Sequence, residues 1–212
     1  MKKLFITLSL LIVCTLVQAQ DLVTINHTYY TTTFSKSLKY PVKVEWILTA
    51  DRVNCPVKLN RPPFFTADPM LANTDYTKDY LRSGYDKGHN CPDYDNACQT
   101  QNILNESFYY TNIFPQKHSV NAGDWESLEI LCRIAAKRNQ VIHIWCGGYG
   151  VLTTIGPDHV AVPKYLWKVV YNVTKNQYKA YIFNNVDEPQ RGPNAHIVDV
   201  SAIEKLTGFI FK

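Results

Sequence analysis

The apolar positions of the chain change their period several times. After Met1, Lys2 and Lys3, an apolar run extends from Leu4 to Val17. Residues 20–40 are polar and rich in Thr and Tyr, which reads as a lead-in arm or an edge strand. Residues 41–50 (PVKVEWILTA) alternate and carry β-branched side chains, so they predict a strand. Residues 51–88 are dense in Pro, Asn, Asp and Tyr and predict a long, irregular but ordered stretch. From Asn121 onward Trp125, Leu128, Leu131 or Cys132, and Ala135 recur at helical spacing, with Lys137 and Arg138 in the last turn. This predicts a helix over residues 122–138. Residues 141–149 (VIHIWCGGY) read as a buried strand, and residues 165–173 and 178–183 as two strands around a turn at Lys175 and Asn176. Asp199 to Thr207 predicts a closing helix, with Ser201 and Glu204 as a capping box and Gly208 as its C-cap. Together these elements make an α+β domain with a mainly antiparallel sheet and helices beside it.

The first apolar run changes the domain picture. It is too short to span a bilayer, which needs about 20 apolar residues. A charged start, an apolar stretch and a small-residue site at Val17-Gln18-Ala19 make a signal peptide over residues 1–19. The expected organisation is therefore a signal over 1–19, an N-terminal arm over 20–40 and a domain over 41–212, in a secreted or periplasmic protein without stable membrane association. The 212 residues carry 22 Lys+Arg against 18 Asp+Glu, a net of +4, and losing Lys2 and Lys3 lowers it to +2. Net charge thus gives no argument for a polyanion partner; such a site has to be a local cluster. Five cysteines follow the signal: Cys55, Cys91, Cys98, Cys132 and Cys146. Export permits disulfides and the odd number leaves a thiol over. The connectivity stays open, with the short Cys91–Cys98 loop favoured; the chain has no C-x-x-C pair, which ranks zinc lower.

The chemistry concentrates between residues 83 and 129, in SGYDKGHNCP, NESFYYTNIFPQ and NAGDWESLE. His89 follows Asp86, Lys87 and Gly88. A neutral imidazole there can accept a proton near neutral pH, and Lys87 beside it suits an anionic substrate. Asn112 and Asn121 add carboxamides, and Glu126 and Glu129 add carboxylates. Hard oxygen ligands with few carboxylates suit a magnesium ion that keeps most of its waters. The inventory points to metal-assisted attack on a phosphodiester. The bland alternatives are a solvated histidine in a glycine turn and asparagines that form turns or caps.

The three blocks, in this order and spacing, resemble the DNA/RNA non-specific endonuclease family of ββα-metal (His-Me finger) nucleases, which includes endonuclease G and secreted bacterial nucleases. The family pattern is D-R-G-H, then S-N-x-x-P-Q, then N-x-x-x-W-x-x-L-E. The likeness continues through TIGPDHVAVPKYLWKVVY (154–171) and IEKLTG (203–208), and so covers roughly residues 40–212. The resemblance implies a ββα-metal nuclease fold and a metal-dependent endonuclease that cuts DNA and RNA without strong sequence specificity and leaves 5′-phosphate ends. It assigns His89 as general base, Asn121 as the direct ligand of one Mg²⁺ (or Mn²⁺) per site, and Glu129 as the holder of a metal-bound water. Asn112 orients the site. On an ideal helix eight residues span about 80° and about 12 Å of rise. Asn121 and Glu129 can therefore serve one ion directly only if the helix begins after Asn121.

Two departures stand out. Lys87 replaces the family's arginine and grips phosphate as a point charge rather than through two parallel bonds. The family's second arginine precedes a D-P element. Arg61, before Asp68-Pro69, takes that place as a substrate-binding residue, although Pro62 and Pro63 disturb the pattern and Arg82 competes. Trp125 is expected in the helix core, and Asp86 as a structural partner. His118 lies near the site, His143 is expected as a satisfied core histidine, and His159 and His196 as exposed. Tyr85, Tyr94, Tyr109 and Tyr110 could stack on bases, with half-buried packing the safer reading for most of them. The expected partners are DNA and RNA, with a homodimer and an inhibitor protein left open. The rival function is a catalytically weak nuclease fold that only binds nucleic acid.

Overall fold

The structure is a computed structural model, and it describes residues 21–212. The expected signal peptide lies outside the described residues. Strands β1 (Leu22–Asn26), β2 (Thr31–Ser35) and β3 (Tyr40–Leu48) form an antiparallel meander. Residues 22–35 are therefore an edge hairpin of the main sheet. β6 (Ile142–Tyr149), β9 (Tyr165–Asn172), β10 (Gln177–Asn184) and β11 (Ile197–Val198) complete a seven-stranded sheet in the order β1-β2-β3-β6-β9-β10-β11, in which each named pair is antiparallel. Two smaller pairs stand apart: β4 (Asp86–His89) with β5 (Ile113–Gln116), and β7 (Thr153–Ile155) with β8 (Val160–Val162). Among the described residues the helices are α1 (Ala50–Val53), α2 (Thr77–Tyr80), α3 (Gln101–Glu106), α4 (Glu126–Lys137) and α5 (Val200–Thr207). No described helix is long and apolar enough to cross a membrane.

Period-two alternation in the sheet builds a core on each face. Val44, Trp46 and Leu48 of β3 and Ile142, Ile144 and Cys146 of β6 face α4, which presents Leu128, Cys132 and Ala136 at four-residue spacing. Of the two candidates left by the pattern, Cys132 is the inward one and Leu131 is half-exposed at the surface. Trp145, Trp167 and Val169 face the opposite side, where Ile203 of α5 and Phe211 cover them. Replacing Leu128 with alanine would leave a cavity in the first core and cost about 2–5 kcal/mol.

Several local expectations are corrected. The helix predicted over 122–138 begins at Glu126. Residues Val120–Trp125 form a wider π-type turn broken at Gly123 (φ −116°, ψ −118°). A side chain on Gly123 would meet the Gln190 amide, with its Cβ 2.9 Å from Nε2. The Ser201–Glu204 capping box does not form. Asp199 is the N-cap residue, and the Glu204 carboxylate accepts from the Phe211 N–H at 3.2 Å. Gly208 caps the C-terminus as expected, in the left-handed conformation. The disulfide joins Cys55 to Cys98, not Cys91 to Cys98. Cys91 points into the first core at the end of β4, where Asn96 donates to its sulfur at 3.7 Å. Cys98 instead lies on the loop that runs beside Cys55, where the Leu59 N–H bonds the Ala97 carbonyl at 2.9 Å. Cys91, Cys132 and Cys146 are buried thiols.

Candidate active site

β4, β5 and α4 form a compact ββα unit, and β4 is its chemical edge. Its four residues Asp86, Lys87, Gly88 and His89 pair with Gln116, Pro115, Phe114 and Ile113. Alternation sends Lys87 and His89 to one face and Asp86 and Gly88 to the other. Gly88 has a steric reason to be glycine. A Cβ there would lie 2.1 Å from Gln116 Oε1 and 2.7 Å from Gln116 Cβ, so the Gln116 side chain crosses directly over it.

His89 packs between two rings, Phe65 at 5.2 Å and Phe108 at 5.1 Å between centroids. Its Nε2 is enclosed without a hydrogen-bond partner. Burial pushes its pKa down to about 4; Asp93 pulls it back up, and Arg61 lowers it further. The ring is therefore neutral at neutral pH and able to accept a proton. Two cations flank it. Lys87 Nζ sits 5.5 Å from the Phe65 ring and 5.4 Å from the Tyr80 ring, and partial burial lowers its pKa. Arg61 stacks over Phe108 at 5.5 Å, and its Nε donates to Asp93 at 2.8 Å. More than half of the Arg61 side chain stays exposed. Arg82 is exposed on a positive-φ turn and makes no ion pair or ring contact among the described residues. Of the two rival arginines, Arg61 is the one the fold carries to His89.

On the other face of β4, Asp86 Oδ2 accepts from Asn121 Nδ2 at 2.9 Å and lies 2.8 Å from His118 Nδ1. With Nδ2 spent on Asp86, the Asn121 carbonyl oxygen makes no hydrogen bond among the described residues. Beside them Gln116 is fully buried, yet neither Oε1 nor Nε2 has a partner. A buried primary amide without hydrogen bonds is costly unless a ligand or water uses it. A carboxamide oxygen, a carboxylate and an unspent amide are hard donors of the kind that suit a hydrated divalent cation. No cluster of three His, Cys, Asp or Glu side chains able to hold a metal exists among the described residues. Gln116 is the residue that the sequence reading passed over. Its signal was present, as the last letter of the P-Q block.

Asn112 and Glu129 occupy supporting places. Asn112 is fully buried; its Oδ1 accepts from the Cys91 N–H (2.9 Å), and its Nδ2 donates to the carbonyls of Cys91 (2.8 Å) and Ser107 (2.9 Å). With its amide spent on backbone, it fixes the chain just after His89 rather than meeting substrate. Glu129 lies 3.4 Å from Lys168 Nζ and 3.8 Å from Arg133, which also pairs with Asp95 at 3.3 Å. Burial pushes its pKa up to about 7, against the pull of both cations. No hydrogen bond among the described residues joins Glu129 to Asn121, Asp86 or His89. Lys168 is itself buried, 3.8 Å from the centre of the Trp125 ring. Trp125 is a core residue as expected, edge-on to Phe114 and Phe183.

Two histidines differ from expectation, and a third went unremarked. His143 is half-buried and stacks on Trp145 at 3.7 Å, rather than sitting in the core. His196 is not exposed; its Nε2 lies 2.9 Å from Asp124, whose carboxylate also accepts from the Arg191 and Gly192 N–H groups. His27, which no motif or periodicity singled out, is buried against Asp68 at 3.2 Å. Among the tyrosines Tyr110 is fully buried, and Tyr94 is exposed beneath Lys58 and Arg133.

Residues 13–212 match the profile of the DNA/RNA non-specific endonuclease family. The chain belongs to this family. Its relatives include the mitochondrial nuclease EXOG of Xenopus laevis, 31% identical over 184 residues, covering 77% of this chain and 49% of that protein. A nuclease of a Nostoc species is 31% identical over 144 residues, covering 62% and 52%, and mitochondrial endonuclease G of Bos taurus is 27% identical over 149 residues, covering 63% and 50%. The chain thus spans about half the length of the curated relatives it matches. In three dimensions it is similar to EndoG, solved in complex with EndoGI in work on EndoG inhibition. The TM-score is 0.77 at 24% identity, covering 89% of this chain and 84% of that one. The fold is accordingly α+β and of the ββα-metal nuclease type.

Proposed function

We propose that the chain is a secreted or periplasmic metal-dependent endonuclease that hydrolyses DNA and RNA without strong sequence preference. The observation that carries this is His89, held neutral between Phe65 and Phe108 with Lys87 and Arg61 on either side. A backbone phosphate is the substrate that needs one neutral base and two cations and presents no base edge to read. With Nε2 enclosed, Nδ1 takes the proton from the attacking water. The hydroxide adds to phosphorus, the P–O3′ bond breaks, and the leaving 3′ oxygen takes a proton from solvent water, so the products carry 5′-phosphate and 3′-hydroxyl ends. Lys87 and Arg61 hold the non-bridging oxygens as negative charge builds on them. Asn121, fixed by Asp86, would hold the divalent cation, with Gln116 beside it. A cation bound there, Mg²⁺ or Mn²⁺, would supply charge stabilisation as the phosphodiester breaks.

The test incubates the protein with supercoiled plasmid and with RNA, in Mg²⁺ or EDTA, beside His89→Ala. Metal-dependent loss of both substrates by the wild type alone is expected. Gel retardation without cleavage under every metal tried would instead favour a protein that only binds nucleic acid.

A further inference from the structure

Across the Phe108 ring from His89 a groove of about 490 Å³ opens between the loop after Asn60 and helix α3. Its wall carries Arg61, Phe64, Gln101, Asn105, Phe108 and Tyr109, and no carboxylate among its lining residues. Phe64 is 74% exposed, which is unusual for a large ring that no fold contact demands. Its sequence neighbour Phe65 is the ring packed on His89, and Phe108 is shared between His89, Arg61 and the groove wall. Gln101 and Asn105 stand one helical turn apart on α3, and Gln101 Nε2 donates both to Asn105 Oδ1 at 2.9 Å and to the Asn60 carbonyl at 3.2 Å. The amide pair is thereby held in one place, on the same wall as the exposed ring.

We propose that this groove is a nucleobase subsite for the nucleotide flanking the scissile phosphate, with the base stacked on Phe64 and its edge facing Gln101 and Asn105. The inference rests on the nuclease reading and extends it from phosphate to base. The groove starts at Arg61, one of the two cations that would hold the phosphate, so a nucleotide bound there runs into it. An aromatic face accepts any base, which keeps cleavage tolerant of sequence. A base can reach the ring only if it leaves its own stack, so unpaired strands are the favoured substrates of this subsite.

The experiment measures kcat/KM on a single-stranded oligonucleotide and on the same strand with abasic residues around the cleaved phosphate. Each is tested with wild type, Phe64→Ala and Phe64→Trp. The wild type should prefer the ordinary strand by about tenfold, the effect of one base–aromatic stack. Phe64→Ala should bring that preference close to unity, and Phe64→Trp should keep it. An equal preference in wild type and Phe64→Ala, or an equal loss on both strands, would overturn the subsite while leaving the nuclease intact. Failure of the wild type to cut either strand would overturn the nuclease reading itself, and the subsite with it.

Discussion

His89 shows how neighbours set the protonation of a single side chain. Enclosure between Phe65 and Phe108 removes solvent from the ring and disfavours its charged form. The consequence is an imidazole that stays neutral below the ordinary range of histidine, which is what the proposed base requires. The acid limb of kcat/KM should therefore fall near pH 4, the value of the free protein, rather than near the ordinary 6.5. A profile already falling at pH 6.5 would show that the imidazole is not enclosed in solution. Lys87 faces the same Phe65 ring. If it holds phosphate, Lys87→Met should lower kcat/KM by about 10- to 150-fold, the range of one charged hydrogen bond. An unchanged kcat/KM would remove it from the substrate site. Asn112 was readable from sequence as a motif letter, but its job was not. Only the fold shows that all its amide bonds go to the backbone of Cys91 and Ser107.

Elements were legible where a period was long and uninterrupted. The pattern over residues 141–149, 165–173 and 178–183 predicted β6, β9 and β10 to within a residue or so, because two-residue alternation against a buried face leaves few alternatives. The start of α4 was misplaced because Gly123, where the chain kinks, was passed over as a glycine tolerated inside a helix. The displacement matters, since it lets Asn121 turn toward Asp86 while Glu129 turns inward to Lys168. The β4–β5 pair depends on Gly88. Gly88→Ala should push the Gln116 side chain off the strand, abolish cleavage and lower the melting temperature; a crystal structure with β4 undisturbed would contradict this. The Cys55–Cys98 bond encloses 43 residues of separation and ties the Arg61 loop to the segment before α3. Replacing both with serine should cost about 4 kcal/mol by the loop-entropy estimate, read as a lower urea midpoint. Its pairing could not be read from spacing. What decides it is which cysteine is buried, and Cys91 was the buried one.

At the scale of the whole molecule, buried titrating groups couple stability to pH. Burial raises the Asp68 carboxyl, but hydrogen bonds from His27, Thr111 and the Met70 N–H outweigh it and hold its pKa below the ordinary value. Asp124 behaves alike, with bonds from Arg191, His196 and Gly192 outweighing burial. Both contribute stability that is present above the unfolded carboxylate range and lost as pH falls through their lowered folded values. His89 acts earlier. Its folded pKa of about 4 lies below 6.5, so the unfolded chain takes up a proton first, and stability drains away as pH falls from 6.5 toward 4. Urea midpoints should drop between pH 7 and pH 5 in the wild type and less steeply in His89→Ala; parallel curves would contradict the enclosure of the ring. The family and the α+β class were legible from three short blocks and a periodic tail. The groove beside Phe64 was not, because its walls come from residues some forty positions apart. The most direct test of the central claim is metal-dependent cleavage of plasmid and RNA by wild type and His89→Ala. The account predicts loss of both nucleic acids in Mg²⁺, none in EDTA and none with the variant. Cleavage by His89→Ala at the wild-type rate would contradict it.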